Sequence, residues 1–277
     1  MRTAIRFLFS AFAVGVAASS WAAVPRTYHI GNSLTDTLDT WLVDVVRGSG
    51  RAVDFHRTTI PGAPTDWLWN HPGGSFGEKD YRTFLAETPI DHLFTQPFAG
   101  HDRSLENEAE YSLKFLELAR KKNPKVRHWI YAQWPSRKLD DQWSKGTGAA
   151  AGLGLKPAAD WDAAVMNHLA YHEALAKRLQ SLDGQTRNIV PGGLGLLNLR
   201  RALGSPTFFE DHFADDIHLG DRGRYLVSLV FYAALFGEKP ADRAAYRRAG
   251  LTAEQAAVYQ RVAWETVRSY RPAGVSR

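Results

Sequence analysis

Tyr28-His29-Ile30-Gly31-Asn32-Ser33-Leu34-Thr35 is the stretch on which the fold turns. A short apolar and aromatic run halts at a glycine, and a serine follows two positions later. Beyond it Leu34, Leu38, Leu42, Val45 and Val46 recur near a period of 3.6, the spacing of one helix face. The residues read as a strand, a tight turn and a helix, with Ser33 at the mouth of the helix. A hydroxyl there has two uses. It caps the helix by accepting a backbone N–H, or the sheet edge holds it out as a nucleophile. Capping is the commoner use for a lone serine, so the choice falls to the rest of the chain.

Further strands are expected at 52–58, 91–95, 126–133 and 188–191. Longer helices are expected at 105–122, 161–182, 224–236 and 253–270, with a short one ending at Leu203. Segment 66–77, rich in tryptophan and glycine, reads as a surface loop or short helical excursion. Segment 136–159 reads as a long polar loop, which leaves open whether it closes as a lid. Strands alternating with helices imply a mostly parallel sheet covered on both faces, and ligands of such sheets sit beyond the carboxyl ends of the strands. Gly31-Asn32-Ser33, Pro61-Gly62, Gln96-Pro97 and Trp134-Pro135 each follow an expected strand. Four candidate contacts would then share one edge.

The chain begins with Arg2 and Arg6, an apolar run over 7–18, and Ser20-Trp21-Ala22 as a small-x-small cleavage signal. Residues 1–22 are expected to be a secretory signal peptide, leaving 23–277 as one α/β domain exported to the periplasm or medium. The apolar run is short of the roughly 20 residues of a membrane span. Removing it takes two of 34 basic residues and none of the 29 acidic ones, so the mature balance is +3. That excess is too small to argue for nucleic acid, and no basic stripe alternates with aromatics. The absence of cysteine excludes disulfides, thiolate metal sites and a cysteine nucleophile. Oligomeric state is left open.

A serine hydroxyl needs a base, and the base needs an orienting partner. Asp215-Asp216-Ile217-His218 supplies both within four residues: Asp215 can accept the His218 Nδ1–H and leave Nε2 facing Ser33. The plainer reading is a helix cap beside a surface histidine. Taken together, Gly31-Asn32-Ser33-Leu34 and Asp215-x-x-His218 resemble the SGNH, or GDSL-type, hydrolases. The resemblance implies a three-layer α/β/α, flavodoxin-like fold with a five-stranded, mostly parallel sheet. It implies carboxylic ester hydrolysis without a cofactor or metal. Ser33 would be the nucleophile, His218 the base and Asp215 its partner. Ser33 and Gly62 would form the oxyanion hole through backbone N–H groups. Two departures stand out: Asn32 replaces the acid of the usual Gly-Asp-Ser, and Phe98 falls where the family has an oxyanion-binding asparagine. Gln96 is expected as the substitute donor, with a buried structural amide as the alternative.

His168 and His172 stand four apart, as metal ligands can, but lack the glutamate that completes the metalloprotease pattern, and read as solvated helix-face residues. Asp211, His212, Asp215, Asp216 and His218 could also be taken as a metal cluster. Trp67, Trp69 and Trp134 are candidate contacts for sugar rings, as is Trp143, though large aromatics are equally core material. The substrate expected is therefore a small or saccharide ester, most naturally an O-acetylated carbohydrate. A lysophospholipase or thioesterase is the alternative within the enzyme class, and a non-catalytic carbohydrate-binding protein the alternative outside it.

Overall fold

The computed structural model describes residues 24–78, 80–98 and 103–275. The expected signal peptide lies outside them. Six strands, β1 (Arg26–Gly31), β2 (Asp54–Thr59), β3 (Phe76–Gly77), β4 (His92–Thr95), β5 (Arg127–Ala132) and β6 (Asn188–Pro191), form one sheet in the order β3-β2-β1-β4-β5-β6. All neighbours are parallel except β2 and β3. The five parallel strands thus follow the 2-1-3-4-5 order of flavodoxin-like sheets. The sixth strand corrects the expected count of five. It is a two-residue antiparallel edge, paired through Thr58–Gly77 and Thr59–Phe76, too short to carry a period in the sequence.

Each central strand is buried on both faces and alternates between two cores. Tyr28 and Ile30 of β1 and Leu93 of β4 pack with Leu68, Tyr81, Leu85, Phe115 and Leu116. Ile130 and Ile189 pack on the same side against Leu169, Leu175 and Leu179. The intervening side chains Phe94, Trp129 and Tyr131 face Trp41, Leu42, Val45, Leu196, Leu226, Val230 and Val262. Helices Leu105–Lys122 and Trp161–Asp183 therefore cover one face. Helices Asp39–Gly48, Gly192–Leu203, Asp221–Phe236 and Ala253–Ser269 cover the other. This is a three-layer α/β/α sandwich. No helix among the described residues is long and apolar enough to cross a membrane.

Two segments differ from the sequence expectation, and a third, 66–77, takes the helical of its two readings and adds the edge strand. The first helix begins at Asp39 rather than near Leu34, because residues 33–38 form turns with Thr35 N–H on Asn32 O and Leu38 N–H on Thr35 O. Side chains in those turns are drawn to neighbouring strands: Thr35 to Gln96, and Asp36 to Arg57 and Thr59. Segment 66–77 holds the short helix Thr65–Asn70, a 3₁₀ turn and β3. The helix Tyr81–Glu87, capped by Asp80 accepting from Thr83 N–H at 3.2 Å, was not foreseen.

Segment 136–159 contains two one-turn helices, Gln142–Lys145 and Ala149–Gly152. It is fastened to the helix Trp161–Asp183. Trp143 stacks on Tyr171 with centroids 4.0 Å apart, and Asn167 Nδ2 donates to Trp143 O and Lys156 O. The same packing overturns the reading of His168 and His172 as solvated: both are buried. His168 Nε2 bonds Asp141 Oδ1 at 3.0 Å, and His172 Nδ1 bonds His168 O at 2.6 Å. Burial and the neighbouring His168 push the His172 imidazole down to about 3, so it stays neutral.

Candidate active site

The loops leaving β1, β2, β4 and β5 meet at the carboxyl edge of the sheet around a cavity of about 700 Å³. Ser33, Gly62, Phe98, Gln133 and Trp134 line it from these four loops, and Asp215 and His218 line it from the loop before Asp221–Phe236. Its size suits a small ligand.

The cap of this turn comes from the residue beside Ser33. Asn32 caps the turn: its Oδ1 accepts Leu34 N–H at 3.0 Å, and its carbonyl accepts Thr35 N–H at 2.9 Å. The Ser33 hydroxyl is therefore not spent on capping, and its N–H has no hydrogen-bond partner among the described residues. Gly31 makes the turn possible. A Cβ there would lie 2.1 Å from Thr35 Oγ1 and 2.7 Å from Gln96 Oε1.

Ser33 Oγ stands 2.9 Å from His218 Nε2, and His218 Nδ1 stands 2.7 Å from Asp215 Oδ2. The other Asp215 oxygen accepts the N–H groups of Ile217 and His218 at 2.8 and 2.7 Å. One carboxylate thus shapes the loop and orients the imidazole it carries. Burial alone raises the Asp215 carboxyl, but the two N–H groups and the imidazole outweigh it and hold it at about 2. An ionised carboxylate only accepts, so His218 Nδ1 carries the proton and Nε2 presents its lone pair to Ser33. The loop is pinned from outside as well. Trp134 Nε1 donates to Ile217 O at 2.7 Å, Arg137 N–H donates to Asp216 O at 2.8 Å, and Lys138 Nζ pairs with Asp216 at 2.6 Å.

The fold has solved counterparts. A DUF4886 family protein from Bacteroides uniformis is similar at a TM-score of 0.66 with 15% identity, over 90% of this chain and 96% of that one. A proposed SGNH hydrolase from Slackia heliotrinireducens scores 0.48 with 18% identity, over 76% and 97%. A member of the lipolytic G-D-S-L family from Veillonella parvula scores 0.46 with 14% identity, over 77% and 97%. No protein-family model matches the sequence, and no curated protein matches it. At these identities the likeness is one of fold.

Several expected site residues fall elsewhere. Gln96, the expected oxyanion donor, is buried and absent from the cavity lining. Its Oε1 accepts Thr35 Oγ1–H at 2.7 Å and Asn32 N–H at 3.2 Å, while its Nε2 donates to Asn32 Oδ1 at 3.1 Å and to Gln133 Oε1. With both amide hydrogens engaged inside the protein, it is the structural amide of the two readings. Trp67 and Trp69 also lie outside the lining. Trp67 is exposed and stacks on His71, and Trp69 packs edge-on against Phe115 beneath Arg82. Trp134 does line the cavity, but it is fully buried and serves as the brace on the His218 loop.

The mixed Asp and His run of the sequence disperses. His212 turns inward to Phe208 O and Tyr259 Oη at 2.7 and 2.6 Å. Asp211 pairs with Thr207 and Arg222. Among the described residues no group of three or more His, Asp or Glu is arranged to hold a metal ion. Conversely, Gln133, Asp141 and His168 line the cavity without having been foreseen there. Gln133 closes an expected strand at the correct edge, which was the available signal. The pairing of Asp141 with His168 had none, since 27 residues separate them.

Proposed function

We propose that the chain is a serine ester hydrolase of the SGNH type, with Ser33, His218 and Asp215 as its triad. The observation that carries this reading is the continuous line Ser33 Oγ, His218 Nε2, His218 Nδ1, Asp215 Oδ2, with both gaps at hydrogen-bond length. In the first step Ser33 Oγ attacks the ester carbonyl while His218 takes its proton. The carbonyl electron pair moves to oxygen, which the N–H groups of Ser33 and Gly62, both residues of the cavity lining, would stabilise. The C–O bond to the alcohol then breaks, and His218 returns the proton to the leaving alkoxide. Water repeats the sequence on the acyl-Ser33 ester and releases the acid.

The lining bears on the substrate class. Asp140, Asp141, Asp215 and Asp216 are among the lining residues, with Lys138 held by Asp216. These acidic residues disfavour an anionic lipid headgroup, while Leu34, Pro61, Phe98 and Ile217 leave apolar surface for a short acyl group. A short O-acyl group on a carbohydrate, in an exported enzyme, is the reading this supports. Hydrolysis of a short-chain aryl acetate by wild type and Ser33→Ala is the test. Loss of about 10³-fold or more in the variant is expected, and equal rates would leave only a binding protein. A chain-length series and a lysophospholipid separate the lysophospholipase and thioesterase alternatives. N-terminal sequencing of the exported protein checks cleavage after Ala22.

A further inference from the structure

We propose that the Gln133 side-chain amide is a catalytic hydrogen-bond donor to the oxyanion formed when Ser33 attacks, and that Gln96 is the positioning residue that aims it. This assignment rests on the serine-esterase reading above.

It follows from the polarity of three linked amides, each fixed by a group whose role is not adjustable. A backbone N–H can only donate. Leu34 N–H meets one end of the Asn32 side chain at 3.0 Å, so that end is Oδ1. Asn32 N–H meets one end of Gln96 at 3.2 Å, so that end is Oε1, and Thr35 Oγ1–H bonds the same atom at 2.7 Å. Gln96 must therefore turn Nε2 toward Asn32 Oδ1, at 3.1 Å, and toward Gln133. The Gln133 atom that receives this bond is its carbonyl oxygen. Its NH₂ is consequently the other end.

That NH₂ has no hydrogen-bond partner among the described residues, although Gln133 is only 4% exposed. Unlike the fully enclosed Asn32 Nδ2, this nitrogen keeps solvent contact, so its hydrogens are open to an incoming group. Gln133 lines the cavity beside Ser33 and His218. Asn32 Nδ2 is also unpartnered, but Asn32 does not line the cavity. The backbone that carries Gln133 is held closely: a Cβ on Gly193 would lie 2.6 Å from Gln133 O, so the start of the helix Gly192–Leu203 packs directly on it.

Among the described lining residues, the lysine Lys138 is paired with Asp216 rather than free to take the developing charge. A fixed neutral dipole can do so without reorganising at the moment of reaction. When Ser33 Oγ bonds the carbonyl carbon and the π pair moves to oxygen, the Gln133 N–H strengthens its hydrogen bond to that oxygen. It transfers no proton, and it relaxes when the C=O re-forms and the alcohol leaves with the proton from His218.

Wild type, Ser33→Ala, Gln133→Ala and Gln133→Glu are compared on a short-chain aryl acetate. Gln133→Glu keeps an acceptor toward Gln96 and the shape of the side chain but loses the outward donor. Both Gln133 variants should lose about 10²–10³ in kcat with KM within about threefold and unchanged circular dichroism. Gln96→Ala should also lower kcat, yet cost less than about tenfold when added to Gln133→Ala, because the group it aims is already gone. A folded Gln133 variant that keeps kcat within about tenfold, or loses only in KM, overturns the donor assignment. Full additivity of the Gln96 and Gln133 losses overturns the positioning role. A Ser33→Ala protein as active as wild type overturns the esterase reading itself, a separable result. In wild type, phosphonylation of Ser33 should move the Gln133 side-chain amide protons downfield by NMR. No displacement refutes the assignment without recourse to any variant.

Discussion

Glu108 sits in the first turn of the helix Leu105–Lys122 and is wholly buried. One carboxyl oxygen accepts the Thr65 hydroxyl at 2.6 Å, and the Phe98 backbone also hydrogen-bonds the carboxyl. Burial raises this carboxyl from an ordinary 4.5 to about 7, with the Thr65 bond acting against the rise. Between those two values the folded protein keeps a proton that the unfolded chain has released. The stabilisation is therefore complete below about pH 4.5 and lost as pH rises through about 7. At about 1.4 kcal/mol per pH unit, the interval amounts to about 3 kcal/mol.

The histidines act in the opposite direction. Burial, foremost, holds His29, His92, His128, His172 and His212 below their ordinary value, so each adds stability as pH rises toward 6.5. The wild-type curve alone is thus a mixture. The difference between wild type and Glu108→Gln cancels the histidines and any pH-independent cost of the substitution. Urea unfolding of both proteins at pH 4 and pH 8 should show the variant gaining about 3 kcal/mol relative to wild type between the two conditions. In thermal melts at this chain length the same gain is about 6–12 °C. Stability curves that stay parallel to within about 0.5 kcal/mol would refute the burial argument for Glu108.

Asp215→Asn keeps an acceptor for the Ile217 and His218 N–H groups but allows the imidazole to adopt the wrong tautomer; kcat on the aryl acetate should fall about 10²–10⁴-fold. Because the Asp215 side chain is 54% exposed, the melting temperature should hardly move, and a large melting shift with intact turnover would contradict the assigned role. Gly31→Ala forces a methyl into the Thr35 hydroxyl and the Gln96 amide, so it should cost about 1–3 kcal/mol in chemical denaturation. It should also lower kcat by displacing Ser33, and a variant matching wild type in both would show that the turn tolerates a side chain.

The parts of the fold that were legible in the sequence are those written in periodicity and punctuation. Runs 126–133 and 188–191, each closed by proline or a turn, became β5 and β6, and the helix Leu105–Lys122 appeared with its expected ends. The meeting of four strand-end loops at one edge was legible for the same reason, since alternation dictates a parallel sheet and a parallel sheet dictates the edge. What was not legible depends on partners distant in the chain. Whether Ser33 caps its turn is decided by Asn32, and Asn32 in turn is set by Gln96, 64 residues later. His168 looked like a surface residue because Asp141, which lies within a segment without periodicity, gave no sign of folding against it. Gln96 and Gln133 are chemically alike, and only their mutual hydrogen bond distinguishes the end that is spent from the end that is open.

The three-residue step from Asp215 to His218 has a consequence beyond its bond lengths. Because the carboxylate that orients the imidazole also folds the backbone beneath it, acid and base travel as one cassette, which Trp134 and Arg137 then fix against the scaffold. Lengthening or re-angling the flanking chain would move the pair bodily, changing its reach to the serine while leaving its own alignment untouched. A designer seeking to regraft this chemistry would need to solve one distance instead of three.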